Sequence, residues 1–353
     1  MNALKIIIFN FFLLSVSYAQ EMQTMNEGHY IDKWHKETTK TFKRASDYID
    51  KTLFDVSNLV NNDSNKTIAN ILKNKQVAKK NKHADEFFLS TKYLSETNDS
   101  FLRITPQTII NTKSKFDNKI VVKIRANIPL NYTKRRYQLF IGNLNNTNLN
   151  EFTSDEKSDS KPELGVNYFS PRYYKMNQKY SIGVRGIAPF IRARYSREYF
   201  KGKWDTEYVQ TFQYFLDDGF EEKTQAFFDT SFANLSLFRL FAERGTEEKS
   251  LGMFYSGGLI MFWQPSYKAG ITLTQSLYGG TKYLYKKNDN ISPSIIKKTA
   301  SINNYQTTLT FRKSFFRKWL FYEIEPRVNF SIVNDYKANY SLRLSLDIFY
   351  GDI

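Results

Sequence analysis

The most constraining feature of this sequence is a strict alternation of apolar and polar residues between residues 340 and 348. A period of two residues is typical of a β-strand with one apolar and one polar face. Placing Arg343 in lipid would cost about 2 to 4 kcal/mol at the membrane centre, so in a membrane only one register is possible. The apolar set is Tyr340, Leu342, Leu344, Leu346, Ile348 and Tyr350, and the opposite set is Ser341, Arg343, Ser345, Asp347 and Phe349.

This strand, close to the end of the sequence and rich in terminal aromatic residues, resembles the closing strand of Gram-negative outer-membrane β-barrels. The resemblance extends over residues 100–353 at the level of architecture, and it implies a porin-like transmembrane barrel. The tripeptide Gly351-Asp352-Ile353 departs from that family's usual ending at the aromatic residue.

The composition narrows the choice of class. No apolar run after residue 20 approaches the roughly 18 residues of a spanning helix, but a transmembrane barrel escapes this test because every second residue is polar. The chain has no cysteine, which excludes disulfides and thiolate chemistry. Its net charge of +16 is spread over the predicted strands without a binding motif, so we expect no nucleic-acid partner.

Residues 1–19 have the pattern of a secretory signal peptide, with Lys5, an apolar stretch from Ile6 to Leu14, and a small-x-small site at Ser17-Tyr18-Ala19. We expect cleavage after Ala19. The alternative is a retained anchor, although the apolar stretch is short for a membrane span. Export agrees with a final location in the outer membrane of a Gram-negative bacterium, in contact with its lipid.

Residues 20–99 form a separate segment that we place in the periplasm. Apolar residues at helical spacing predict an amphipathic helix over residues 28–60, which offers a face to a periplasmic protein partner. The lysine-rich stretch 73–82 is interpreted as a solvated linker. The three histidines lie in this segment without the spacing of a metal pair, and we predict no metal site.

From residue 100 onward, alternating segments predict an all-β antiparallel barrel of twelve strands. Each segment reaches the roughly 9 to 11 residues that cross a membrane at a tilt, and an even count places both ends on one side. Because alternation does not say which face meets water, a secreted soluble barrel or sandwich is the alternative. The segments are 100–111, 118–129, 134–143, 163–174, 178–198, 204–217, 222–243, 250–263, 267–285, 299–314, 317–332 and 336–350.

The connections predict the topology. The longest ones, residues 144–162 and 286–298, are assigned to the outer side, and residues 199–203 fall on the same side. Asp218 and Pro265 are assigned to periplasmic turns. A parity change around Pro189, inside segment 178–198, is interpreted as a β-bulge.

The polar face of these strands is rich in cations, which favours anions if the interior is an open pore. The alternative is a filled interior, because barrels of about eight strands are filled and those of about sixteen are open. The predicted lumen-lining residues are Lys123, Arg125, Arg136, Arg185, Arg194, Arg312, Arg327, Arg343, Glu323, Glu325, Asp229 and Asp347.

Catalysis is not expected. The predicted barrel holds no histidine to act as a general base, since the last one is His83. Glu323 and Glu325 lie two apart on one strand and are more simply salt-bridge partners. No cofactor motif is present, so we predict no cofactor.

The last hairpin can be assigned a register. Its inward residues are odd-numbered on both strands, so the turn holds an odd number of residues, and Val333-Asn334-Asp335 is the shortest that fits. With Asn334 at the centre, Glu325 lies opposite Arg343, Glu323 opposite Ser345 and Arg327 opposite Ser341.

Together these features predict an outer-membrane barrel for passive passage of small, anionic solutes. The first alternative is a structural or partner-docking barrel with a closed lumen. The second is an envelope hydrolase, which the missing histidine disfavours.

If the signal peptide and the alternating strands are interpreted correctly, the mature protein fractionates with the outer membrane. Its folded barrel should migrate differently from the heated form in detergent gels. Recovery as a soluble periplasmic protein would contradict the prediction.

Overall fold

The structure is a computed structural model that describes residues 30–60, 87–88, 100–112, 119–130, 136–142, 161–233, 236–250, 252–266, 268–286 and 296–351. Within these ranges one long helix precedes a closed antiparallel β-barrel. The predicted signal peptide and the lysine-rich stretch 73–82 lie outside the described residues.

Helix α1 spans Tyr30–Val60 and confirms the helix predicted from the apolar spacing. The chain divides into two compact units at this helix, Met1–Ala45 and Ser46–Ile353. Within the second unit, Ser46 and Asp50 are buried one helical turn apart, so one side of α1 is covered there. Among the described residues, no helix has the length and apolar character needed to cross a membrane.

The described part of the barrel has fourteen strands. They are β1 (Phe101–Asn111), β2 (Lys119–Pro129), β3 (Tyr137–Ile141), β4 (Glu163–Tyr173), β5 (Met176–Arg185), β6 (Ala188–Lys201), β7 (Trp204–Phe215), β8 (Gly219–Thr230), β9 (Ser236–Glu247), β10 (Met253–Ser266), β11 (Ala269–Lys286), β12 (Ile296–Ser314), β13 (Leu320–Ser331) and β14 (Ala338–Gly351). A short 3-10 helix, Ile332–Asn334, lies between the last two.

Every strand pairs with its sequence neighbour, and β1 pairs with β14 to close the ring. At this seam Phe101 lies opposite Gly351 and Ile110 lies opposite Leu342. A closed antiparallel sheet has no open edge, so its backbone hydrogen bonds are satisfied within the protein, as a lipid environment requires.

The predicted number of twelve strands is wrong, because two of the twelve segments are hairpins. Segment 178–198 joins most of β5, a two-residue turn at Gly186 and Ile187, and most of β6. Gly186 has a φ of +63°, which glycine adopts without strain. The parity change near Pro189 is therefore a turn and not a bulge. Segment 222–243 likewise joins parts of β8 and β9.

The extra hairpins change which turns share an end of the barrel. We call the end where β1 begins and β14 ends the terminal end, and the opposite end the loop end. Lys161, which follows the 143–160 connection, forms an ion pair with Asp217 at 3.3 Å. Asp217 and Asp218 thus lie at the loop end, against the predicted assignment, and the turn at Gly202 and Lys203 lies at the terminal end.

Single cysteines in this cysteine-free chain test the fourteen-strand topology. If the loop end faces outward, as the sequence predicts for the long connections 144–162 and 286–298, Asp218→Cys should react with an impermeant thiol reagent on whole cells. Lys203→Cys and Ser266→Cys should react only after the outer membrane is opened. A twelve-strand barrel predicts labelling on whole cells at position 203 and not at position 218. Ser266→Cys is the control, because the twelve-strand and fourteen-strand topologies both place it on the periplasmic side.

Candidate functional site

The barrel reverses the burial pattern of a soluble protein. Along β2, the side chains of Ile120, Val122 and Ile124 are 84%, 58% and 51% exposed, although they are apolar. The opposite parity of the same strand includes Lys123 and Arg125, which are half-buried. The polar face therefore points to the interior and the apolar face points outward, as in a barrel whose solvent is lipid. The interior wall is the candidate functional site.

The structure buries the predicted interior residues to different degrees. Arg312, Arg327, Arg343, Glu323, Glu325, Asp229 and Asp347 are buried. Lys123, Arg125, Arg136, Arg185 and Arg194 are half-buried, and Arg136 immediately precedes β3. Several of these side chains meet in ion-pair clusters on the wall.

The first cluster is centred on Asp347, near the terminal end. Its carboxylate accepts hydrogen bonds from Arg103 Nε and Nη2 at 2.9 and 2.7 Å and from Thr105 Oγ1 at 2.6 Å. Arg312 donates to both Asp347 and Glu323. The cluster joins β1, β12, β13 and β14, so it ties the closing seam together.

The second cluster is centred on Glu325, in the last hairpin. The structure pairs Glu325 with Arg343, Glu323 with Ser345 and Arg327 with Ser341, which confirms the predicted register. Glu325 accepts hydrogen bonds from both Arg343 and Arg327, and from Thr310 Oγ1 at 3.2 Å. The sequence predicted one cation for this carboxylate, whereas the structure gives it two.

Two further pairs lie on other strands. Arg239 forms a bidentate pair with Asp229, with both distances 2.7 Å, between β8 and β9. Arg192 donates to Glu163 at 3.0 and 2.9 Å and to Gln213 at 2.8 Å, near the loop end. Bidentate arginine–carboxylate pairs are among the stronger charged hydrogen bonds, and they hold neighbouring strands in register.

Sequence reasoning assigned only Phe349 to the inward face and missed the other apolar side chains on the interior wall. They share the parity of the inward charges: Phe321 precedes Glu323 by two residues, and Phe349 follows Asp347 by two. That parity was the available signal. The inward set comprises Phe140, Phe190, Phe215, Leu237, Phe262, Phe321 and Phe349.

These rings pack against arginines. The Arg185 guanidinium lies 3.5 Å from the centre of the Phe215 ring, and Arg192 lies 4.8 Å from that of Phe190. At the terminal end Arg312 lies 4.5 Å from the centre of Phe321. Cation–π contacts of this kind let charged and aromatic side chains share one crowded wall.

Acidic residues in the β7–β8 turn at the loop end form ion pairs with basic residues of neighbouring strands and turns. Arg185 pairs with Asp217 at 3.1 Å and also with Asp218, while Lys249 lies 3.7 Å from Asp218. Partial burial raises the pKa of Asp217, but hydrogen bonds from Arg185 and Lys161 outweigh this and hold the pKa below its ordinary value. Asp217 therefore remains a carboxylate in mild acid, and the β7–β8 turn stays tied to its neighbours.

The two neighbouring carboxylates Glu323 and Glu325 each have ion-pair partners in the structure. Both Glu323 and Glu325 are engaged by arginines, as expected for structural ion pairs. In the described ranges, no group of three or more histidine, aspartate or glutamate side chains is placed to hold a metal ion.

Comparison with known proteins gives fold likeness only. The sequence matches no family model and no curated protein significantly. Among solved structures, OprB of Pseudomonas putida has 8% identity and a TM-score of 0.44, covering 75% of this chain and 97% of that one. The anion-selective porin of Comamonas acidovorans has 8% identity and a TM-score of 0.41, covering 71% and 99%. OmpT of Vibrio cholerae, as a loop L8 deletion mutant, has 8% identity and a TM-score of 0.42, covering 71% of this chain and 98% of that one.

The Glu325 cluster predicts an order of stabilities. Glu325→Gln should lower the free energy of unfolding more than Arg343→Gln, because it removes the carboxylate from two guanidinium groups. Breaking a buried pair costs about 3 to 5 kcal/mol. Urea unfolding in lipid vesicles measures this, and Lys337→Gln, the same change at an exposed site beside the hairpin, should shift it by less than about 0.5 kcal/mol.

The double exchange Glu325→Arg with Arg343→Glu should recover part of the loss. Full recovery is not expected, because Arg327 would then lie beside another arginine. Equal stabilities of the single and double variants would contradict the pairing.

Proposed function

We propose that this protein is an outer-membrane channel through which small anionic solutes diffuse passively. The observation that carries the proposal is the excess of cations on the interior wall. Glu325 is shared by two arginines, and Lys123, Arg125 and Arg194 add positive charge on other strands. A cationic wall in a narrow aqueous path attracts anions and repels cations.

The strand count bears on whether such a path exists. Barrel diameter grows roughly in proportion to the number of strands, from filled barrels at about eight to open ones at about sixteen. Fourteen strands give a wider interior than the twelve predicted from sequence. This supports an aqueous path beside the inward ion pairs, and we propose that the twelve predicted interior residues line it.

The outward face supports a position in lipid. Ile182, Ile191 and Leu164 are more than half exposed on adjoining strands, and a soluble protein rarely exposes a continuous apolar band of this kind. In our proposal the terminal end faces the periplasm, where residues 20–99 also lie, and the loop end faces outward.

A partner-docking role is the second candidate. It rests on α1, where Tyr30, Ile31 and Trp34 are 80%, 51% and 49% exposed. An apolar face of this kind suits a periplasmic protein partner for residues 28–60. It does not require an open lumen.

Planar bilayers distinguish the two candidates. The purified protein should give stepwise conductance, and a salt gradient should give a reversal potential of the sign for anion preference. Lys123→Glu and Arg194→Glu should each reduce that potential. Arg197→Glu provides the matched control, because Arg197 is exposed on the outward face of the same strand as Arg194. The absence of conductance would favour the partner-docking role.

A further inference from the structure

Two phenylalanines from the segment before the barrel lie against its interior wall. Phe87 and Phe88 contact each other with ring centres 5.0 Å apart and edge-to-face geometry. They belong to the same compact unit as the barrel. They precede β1 by more than ten residues, so no strand pairing accounts for their position.

Their contacts reach five consecutive strands. The Phe88 ring lies 5.5 Å from that of Phe262 on β10 and packs against Leu237 on β9. The Phe87 ring lies 6.0 Å from that of Phe321 on β13, and the Arg312 guanidinium of β12 lies 5.9 Å from its centre. All these wall residues are near the terminal end.

On the fifth strand, β11, a glycine makes room for the pair. A Cβ atom on Gly270 would come within 2.5 Å of Phe88 Cζ and 2.9 Å of Phe87 Cε1. Gly270 lies directly opposite the inward-facing Arg312, so position 270 is also on the interior face. The absence of a side chain there leaves space inside the barrel. The wall is thus shaped around the two rings.

We propose that Phe87 and Phe88 form an internal anchor that is docked on the wall inside the terminal end and narrows the passage there. The narrowing of the passage rests on the proposed channel function, whereas the docking of the two rings does not. The apolar patch of Leu237, Phe262 and Phe321 is the docking surface, and its rings meet the anchor edge-on or tilted, as aromatic pairs prefer. Undocking would widen the path.

Chemical cross-linking tests docking without reference to conduction. In the cysteine-free chain, Phe88→Cys combined with Phe262→Cys should be linked by a short bis-methanethiosulfonate reagent, because the rings at these two positions lie 5.5 Å apart. Phe88→Cys combined with Gly257→Cys should not be linked, since Gly257 lies on the outward face of β10 and its Cβ would meet little. Linking of neither pair in folded protein would overturn the anchor.

Single-channel recording in planar bilayers tests the narrowing. Phe87→Ala with Phe88→Ala should raise the conductance of each step above that of the wild type. Gly270→Leu should do the same by displacing the rings, and the triple variant should conduct no better than the double. Phe232→Ala, an exposed phenylalanine at the same end, should conduct like the wild type.

Heat-modifiable migration shows that each variant is folded. Unchanged conductance in folded Phe87→Ala, Phe88→Ala protein would overturn the narrowing. If the cross-link forms but neither the wild type nor the variants conduct, the channel function fails and the narrowing with it, while docking stands.

Discussion

Closure of the ring between β1 and β14 is the constraint on which the rest of this structure depends. In lipid an unpaired strand edge leaves backbone groups without partners, so the first strand must meet the last. That meeting also brings Arg103 and Thr105 of β1 onto Asp347 of β14, more than 240 residues away. The buried ion pair exists only in the closed ring. Ring closure and the interior ion pairs therefore depend on each other: opening the seam separates the charges, and removing the charges weakens the seam.

Around the closing seam, the two ion-pair clusters bring four arginines to three carboxylates, so one-to-one pairing is impossible there: the cations are Arg103, Arg312, Arg327 and Arg343, and the carboxylates are Glu323, Glu325 and Asp347. The structure responds by sharing: Arg312 bridges Asp347 and Glu323, and Glu325 takes both Arg327 and Arg343. A buried charge is costly unless paired, so shared carboxylates keep the cations on the wall at the least cost. The surplus positive charge at these clusters then remains as a field directed into the barrel, and in the proposed channel an anion would meet this field.

The sequence predicted the register of the last hairpin correctly because its alternation is unbroken on both strands. The three-residue turn 333–335 was wrong, since strand pairing ends at Phe330 opposite Ala338 and a 3-10 helix follows β13. Sequence reasoning missed two hairpins for different physical reasons. In β5–β6 an odd-numbered residue pairs with an even-numbered one, as in Ser181 opposite Arg192. The inward residues therefore change from odd to even numbers at the turn, and the sequence analysis attributed this change to a bulge at Pro189. In β8–β9 the paired residues have the same parity, as in Asp229 opposite Arg239, so alternation continues without a break. There, only the excess length of the segment indicated a second strand.

The interior apolar residues show why the site was only partly predictable. Parity assigns Phe321 and Phe349 to the interior, yet nothing local tells what covers them. In a water-filled barrel an uncovered phenylalanine loses roughly 25 cal/mol for each Å² of apolar surface left wet. Phe87 covers part of Phe321 and Phe88 covers part of Phe262, which reduces this cost, and Gly270 gives the two rings their space. Covering the apolar wall thus depends on three distant parts of the sequence: the wall residues, the two phenylalanines and Gly270. No local sequence pattern in any one of them predicts this contact. An apolar patch inside a polar barrel is therefore a reason to look elsewhere in the chain for the segment that covers it.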